Sequence, residues 1–113
     1  RKMILVRWDD RLVHGQVLYR WLSGRKLSKI IVFDNETAND SQKKSIIRMS
    51  ISREYDLLFF SVNEIESLQK NVKDSLVLIS NPWAARILFD CKILRGTLNL
   101  QELARENLRT ESI

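Results

Sequence analysis

The sequence has few of the residues that interrupt regular structure or cross-link a chain. It contains one proline, three glycines and a single cysteine, Cys91. One cysteine excludes an internal disulfide, which favours a reducing, intracellular setting. With 44% hydrophobic and 29% charged residues, the composition does not fit a disordered tail or a linker. We expect one folded domain over residues 1–113.

Long apolar runs and clusters of metal-binding side chains are also absent. The longest apolar runs, such as Leu57 to Phe60, are far shorter than the ~20 residues that span a bilayer, and the start of the chain has no signal-peptide pattern. One histidine without a cysteine cluster gives no zinc-ligand spacing. We therefore expect a soluble protein, and we predict neither a metal nor another cofactor.

The charge balance is basic, with 19 Lys and Arg against 14 Asp and Glu and a net charge of +5. This excess is compatible with binding to phosphates, nucleic acid, an acidic protein surface or anionic lipid. The basic residues are scattered, with short pairs at Arg25-Lys26 and Lys43-Lys44. A nucleic-acid-binding arm usually has a denser run, so we do not expect nucleic acid as a partner.

Short apolar runs alternate with amphipathic stretches, which is typical of strands and helices that follow one another. Strands are predicted at Met3 to Trp8, Lys29 to Phe33, Asp56 to Phe60 and Leu76 to Ile79. One helix is predicted from Gly15 onward, and a second from Thr37 to about Ser50, with Thr37 and Asp40 as a capping box. A third helix follows a capping box of Ser61 and Glu64, and a fourth starts at Asn81 and Pro82. The pattern predicts an α/β fold with a mainly parallel central sheet and helices on both faces.

The turn after the first strand has an unusual density of reactive side chains. Asp9, Asp10, Arg11 and His14 lie within six residues, and Gly15 and Gln16 follow. Turn, cap and solvent-exposed roles would account for these residues one by one. However, sites in open parallel sheets form at the carboxyl ends of strands, where loops lead into helix N-termini.

A histidine at such a point suits phosphoryl transfer. The neutral imidazole of His14 is a nucleophile near pH 7, and a phosphorylated ring adds nearly two negative charges. Arg11 can stabilise them through charge-assisted hydrogen bonds of roughly 1.5–3 kcal/mol each, more than the ~0.3–1 kcal/mol of a helix dipole. Gly15 leaves room for phosphate oxygens. Either Asp9 or Asp10 could accept the other ring N–H, and the sequence does not decide between them.

The segment DDRLVHGQV closely resembles the active-site loop of the mannose, fructose and sorbose family of phosphotransferase IIB components, in which DDRLIHGQV is typical. KIIVFDNETANDSQKKSIIRMS and SNPWAARIL are similar to later parts of the same family. The resemblance covers roughly residues 3 to 90. Family members commonly have a Gly-rich turn after a short strand near the position of Leu94 to Leu100, and here ILRGTLNL keeps only Gly96. Members also usually continue beyond the position of Ile113, so the C-terminal end is either truncated or divergent from the family.

The resemblance implies a protein-histidine:sugar phosphotransferase. His14 would be phosphorylated by a phosphorylated IIA partner and would pass the group to a sugar imported through membrane IIC and IID subunits. Arg11 would stabilise phosphate, Asp9 and Asp10 would order the loop, and Gln16 matches the motif, although helix packing explains it equally well. The expected location is the cytoplasm, at the inner face of the membrane through the transporter. The sugar is not identified, and a homodimer remains an open alternative.

Three further features have both functional and ordinary interpretations. Cys91 follows a late helix, whereas a phosphate-carrying cysteine is expected in an early loop, so we expect a structural role. Trp8 and Trp83 either flank the histidine segment or pack against the core. Asp34, Asn35 and Asn39 end the second strand at the expected site, where turn and cap roles explain them equally well.

Two other classes of function are alternatives. A receiver domain has similar connectivity, but it requires a phosphorylatable aspartate at the end of the third strand, where the sequence has Phe59, Phe60 and Ser61. A basic nucleic-acid module would use the positive charge, but the sequence has no aromatic-basic motif of the kind such modules use.

Overall fold

The central feature is a five-stranded sheet, which we describe from a computed structural model that covers residues 2–8, 22, 24–93 and 108–112. Its strands are β1 (Lys2–Trp8), β2 (Lys29–Phe33), β3 (Asp56–Phe60), β4 (Ser75–Ile79) and β5 (Leu108–Ser112). The spatial order is β3-β2-β4-β1-β5. The predicted bounds of β2 and β3 are confirmed, and β1 and β4 each begin one residue earlier than predicted.

The first four strands run parallel, and β5 pairs antiparallel with β1. The α/β class and the mainly parallel sheet are therefore confirmed. The fifth strand was not predicted, because the sequence pattern weakens after Cys91. The position of the family's short strand near Leu94 to Leu100 lies outside the described residues.

Both faces of the sheet are buried, and alternate residues of one strand serve different faces. Ile31 and Phe33 of β2 belong to one hydrophobic cluster, whereas Ile30 and Val32 belong to another. This alternation follows from the two-residue period of a strand. Burial on both sides explains why the central strands read as continuous apolar runs.

The described helices are α1 (Asn35–Ala38), α2 (Ser41–Ser50), α3 (Ile65–Asn71) and α4 (Pro82–Asp90), and a short 3₁₀ helix at Val62–Glu64 precedes α3. Leu68 of α3 and Leu88 of α4 pack on the first cluster. On the other face, Leu22 is helical and buried in the second cluster, and α2 lies over Phe59, which packs against that cluster. The prediction of helices on both faces is confirmed.

The start of the second predicted helix was wrong. The N-cap of α1 is Asp34, whose side chain accepts from the Thr37 N–H, so Thr37 lies inside α1 and is buried. The N-cap of α2 is Asp40, which accepts from the N–H groups of Gln42 and Lys43. The predicted single helix is thus two helices, because two aspartates each satisfy the free N–H groups of a separate first turn.

The predicted starts of the last two helices are confirmed. The Ser61 N–H donates to Glu64 Oε1 at 3.0 Å, which forms the predicted capping box ahead of α3. Asn81 is the N-cap of α4, with Pro82 at the first helical position. The first predicted helix, from Gly15 onward, lies almost wholly outside the described residues.

Candidate phosphoryl-transfer site

The site expected from the sequence begins at the carboxyl end of the sheet. Trp8, the last residue of β1, is paired in parallel register with Ile79, the last residue of β4. The next residues along the chain are those of the reactive segment. Asp9, Asp10, Arg11, His14, Gly15 and Gln16 themselves lie outside the described residues. The structure therefore describes where this segment begins and which strand end is its neighbour.

A crevice is expected beside this point, because neighbouring strands send the chain to opposite faces. After β4, the chain forms α4 on the face of the first cluster. After β2, the neighbour of β4, the chain leads to α2 on the other face. In open parallel sheets such a divergence creates the crevice in which ligands bind.

The buried carboxylate of Asp34 connects the chain that leaves β2 with the chain that leaves β4. Only 4% of the residue is exposed. Its Oδ2 accepts from the N–H of Thr37 at 3.0 Å and from the Thr37 hydroxyl at 2.8 Å. Its Oδ1 accepts from Asn81 Nδ2 at 2.9 Å and from the Ser80 hydroxyl at 3.3 Å. These donors offset the cost of removing a carboxylate from water.

A second link connects β2 with β3 at the same end of the sheet. The Val62 N–H donates to Asn35 Oδ1 at 2.8 Å, and the Asp34 N–H donates to the Phe60 carbonyl at 3.1 Å. The carboxyl ends of β3, β2 and β4 are therefore joined by hydrogen bonds. The sequence predicted that Asp34 and Asn35 lie here, but it did not single out Ser80 as their neighbour.

Comparison with known proteins identifies the chain's relatives. The sequence model of the PTS system sorbose subfamily IIB component matches residues 3–104. The chain belongs to this family. The resemblance stated from the histidine segment is confirmed, and membership places the chain among the phosphoryl-transfer components of sugar phosphotransferase systems.

Individual relatives of this IIB domain cover different shares of it. The fructose-specific EIIB component of Bacillus subtilis (strain 168) is 26% identical over 96% of this chain and 69% of its own length. The sorbose-specific EIIB component of Klebsiella pneumoniae is 25% identical over 91% of this chain and 65% of its own length. The mannose-specific EIIAB component of Escherichia coli (strain K12) is 46% identical over only 43 residues, 38% of this chain and 13% of its own length.

A solved structure supports the fold of this IIB domain. The crystal structure of the IIBSor domain of the sorbose permease from Klebsiella pneumoniae matches with a TM-score of 0.66 and 23% identity. The match covers 77% of this chain and 56% of that domain. The chain thus spans little more than half of the solved domain.

The alternative classes of function do not agree with these findings. In the IIB domain, β3 ends at Phe60 and Ser61 follows, so a receiver's phosphorylatable aspartate is missing from that strand end. The strand order also differs from the 2-1-3-4-5 order of receiver-like sheets. A match to a phosphotransferase family over residues 3–104 likewise argues against a nucleic-acid module.

In the IIB domain, Trp8 ends β1 and Trp83 lies in the first turn of α4, and both residues are partly buried. Trp83 of α4 meets Phe33 edge to face, with ring centroids 5.6 Å apart and planes at 71°. Trp8 packs against the same hydrophobic cluster. Both rings therefore contribute to the core, and their relation to the histidine segment stays a prediction.

Cys91 of the IIB domain lies at the other end of α4, where it is the C-cap residue. Burial, and then the charge of Asp90, raise the pKa of its thiol. A raised pKa reduces the thiolate fraction, and the thiolate is the nucleophilic form. This position fits the structural role expected for Cys91.

Within the described ranges, no group of three His, Cys, Asp or Glu side chains is arranged to hold a metal ion. The helices of those same ranges are all too short or too polar to cross a membrane.

Proposed function

We propose that this IIB domain carries a phosphoryl group on His14 between a phosphorylated IIA protein and a sugar. The observation that carries the proposal is the family motif DDRLVHGQV, which starts one residue after the end of β1. That strand end lies at the carboxyl end of the sheet, beside Ile79. Family membership over residues 3–104 supports the same assignment.

The proposed chemistry consists of two displacements at phosphorus. First, the lone pair of a neutral His14 ring nitrogen forms a bond to the phosphorus of the donor's phosphohistidine, and the donor's N–P bond breaks with its electron pair returning to that ring. Second, a sugar hydroxyl oxygen forms a bond to the same phosphorus and gives its proton to solvent, while the His14 N–P bond breaks and its electron pair returns to the imidazole. Such transfers need mainly positioning and charge stabilisation.

The neighbouring residues take supporting roles in this proposal. Arg11 neutralises the oxygens of the transferred group through charge-assisted hydrogen bonds. Asp9 or Asp10 accepts the second ring N–H and selects the tautomer of His14. Gly15 and Gln16 contact the incoming group. The IIA donor docks from the solvent side, and IIC and IID membrane subunits present the sugar, which brings the domain to the cytoplasmic face of the membrane.

The test is incubation with a radiolabelled phospho-IIA donor, followed by analysis of the bound label. The label is expected to be acid-labile and alkali-stable, as a phosphoramidate is, and to disappear in His14→Ala. Cys91→Ser is the matched control and is expected to label as the wild type does. A label that persists in His14→Ala, or that hydroxylamine removes, contradicts the proposal.

Arg11→Ala tests the charge-stabilising role. Losing one charge-assisted hydrogen bond of roughly 1.5–3 kcal/mol should slow transfer by about 10- to 150-fold. Rapid-quench measurement of His14 labelling gives the rate, and circular dichroism verifies the fold. Arg11→Lys keeps the charge but loses the planar fork, so an intermediate rate is expected. An unchanged rate in Arg11→Ala removes this residue from the mechanism.

A further inference from the structure

The two oxygens of Asp34 have separate tasks. Oδ2 caps α1 and binds Thr37, three residues along the chain. Oδ1 binds Ser80 and Asn81, which are 46 and 47 residues away. Capping a four-residue helix uses only one of these oxygens. The second oxygen makes a tertiary contact that no local helix signal requires.

Asn81 also departs from the usual behaviour of a residue in its position. It is the N-cap of α4 with an extended backbone, yet its side chain makes no capping hydrogen bond. Its amide donates instead to Asp34 Oδ1 at 2.9 Å and to the Ser80 hydroxyl at 3.3 Å. The N-cap preference of asparagine normally rests on a bond to its own helix. Here that side chain serves a different element.

The hydrogen bonds of Asp34 Oδ1 connect the end of β2 with the end of β4, after which the chain passes to opposite faces of the sheet. Asp34 directly follows β2, and Ser80 and Asn81 directly follow β4. The backbone pairing of β2 with β4 ends at Val32 and Leu78, before these residues are reached. The Asp34–Asn81 bond therefore fixes the exit of β4 against its neighbour on one side. On its other side, β4 lies beside β1, and Ile79 is the partner of Trp8.

We propose that Asn81 is a positioning residue for phosphoryl transfer, and that its hydrogen bond with Asp34 holds the exit of β4 in register with the start of the histidine segment. This inference rests on the proposed function of His14. Displacements of about 1 Å at a reacting group can cost roughly 100-fold in rate. Without the Asp34–Asn81 hydrogen bond, the residues that follow β4 are less well held, and we expect the neighbouring histidine segment to be displaced and phosphoryl transfer to slow.

Asn81→Ala and Thr37→Val form a matched pair. Each removes one side-chain donor from Asp34, and of the two residues Asn81 is the one that follows β4. With phospho-IIA as donor, Asn81→Ala is expected to lower the rate constant at saturating donor by about 10-fold or more. The donor concentration for half-maximal rate should not change. Thr37→Val should transfer at the wild-type rate, even where its unfolding midpoint falls further.

A reciprocal exchange provides the rescue. Combining Asp34→Asn with Asn81→Asp rebuilds a donor and an acceptor across the same gap, with the amide on the β2 side. This double variant is expected to recover most of the lost rate, whereas Asn81→Asp alone sets two carboxylates against each other. If Asn81→Ala does not fold, Asn81→Ser replaces it, because serine can cap α4 but is too short to reach Asp34.

The outcomes separate the two proposals. If the wild-type domain takes no label on His14, the proposed function fails. If the wild type is labelled and Asn81→Ala or its serine replacement transfers at the same rate, the positioning role alone fails. That role also fails if Thr37→Val slows transfer as much as Asn81→Ala does, since the effect would then follow stability rather than the link to β4.

Discussion

Cys91 shows how the end of a helix sets the chemistry of one side chain. Its N–H donates to the Ile87 carbonyl at 2.9 Å and so closes the last turn of α4. Burial is the main cause of the raised pKa of its thiol, and the charge of Asp90 adds to it. Both causes disfavour the thiolate.

We predict that Cys91 reacts slowly with iodoacetamide at neutral pH. The midpoint of the rise in rate with pH should lie higher than for an ordinary exposed thiol, because the thiolate is the reactive form. Asp90→Asn removes the smaller cause and should increase the rate moderately. Alkylation followed by mass spectrometry from pH 7 to 10 gives the profile. Fast alkylation at pH 7 would contradict the raised pKa.

The raised pKa of Cys91 also makes the free energy of unfolding depend on pH. Because the pKa is raised in the folded state, the contribution of Cys91 is fully present below the pKa of the unfolded chain and is lost as the pH rises through the folded pKa. This effect is expected on the alkaline side only. Cys91→Ser should remove it.

Residue positions were more predictable from the sequence than residue partners. The pattern located Asn81 and Pro82 at a helix start and Asp34 after a buried strand. The hydrogen bond between Asp34 and Asn81 could not be predicted, because it joins residues 47 positions apart and depends on the strand order. The roles of Asp9, Asp10, Arg11 and His14 rest on the family motif and stay predictions.

At the scale of elements, α2 carries two adjacent isoleucines in opposite environments. Ile46 is 59% exposed, whereas Ile47 is 7% exposed. The neighbouring Met49 is also exposed. A helix turns about 100° per residue, so adjacent side chains point in different directions. Only one of the two isoleucines can pack against the sheet.

Ile46→Ala and Ile47→Ala are therefore a matched pair with equal changes in helix propensity. Ile47→Ala should reduce the free energy of unfolding by about 2–5 kcal/mol, because it leaves a cavity in the core. Ile46→Ala should change it by less than about 0.5 kcal/mol. Urea unfolding followed by circular dichroism measures both. Equal losses would show that α2 is not oriented as described.

The boundary between α1 and α2 marks a limit of local pattern reasoning. Thr37 and Asp40 have the spacing of a capping box, and the sequence therefore predicted one helix from Thr37. In the structure, Asp34 captures both the N–H and the hydroxyl of Thr37, and Asp40 caps α2. Several aspartates in a short stretch offer competing caps, and only the burial of Asp34 and Thr37 settles the competition.

For the whole molecule, strand order decides which parts are most protected. β4 lies between β1 and β2, and all five of its residues are buried. β3 is paired with β2 alone among the described strands, and most of its residues are partly or fully exposed. The order β3-β2-β4-β1-β5 could not be predicted from local patterns, since it depends on contacts between distant segments.

We predict that amide hydrogen exchange is slowest in β4 and clearly faster in β3. The amides of a central strand exchange mainly through global unfolding, whereas an edge strand can open locally. Exchange measured by NMR or mass spectrometry tests this ranking, with β2 as an internal reference. Faster exchange in Leu76 to Leu78 than in Leu57 to Phe59 would contradict the strand order.

Lys44 and Arg48 of α2 lie above β3, and their charge affects self-association at high protein concentration. Four of the five β3 residues are apolar, and such a lateral strand is a template for adding another chain. Lys44 Nζ lies 5.7 Å and Arg48 Cζ 5.6 Å from the centroid of the Phe59 ring. A second copy laid along β3 would carry the same two cations above its own β3, and their repulsion, screened by salt, would oppose the addition. Stacking on one aromatic ring thus doubles as a deterrent to fibre-like growth.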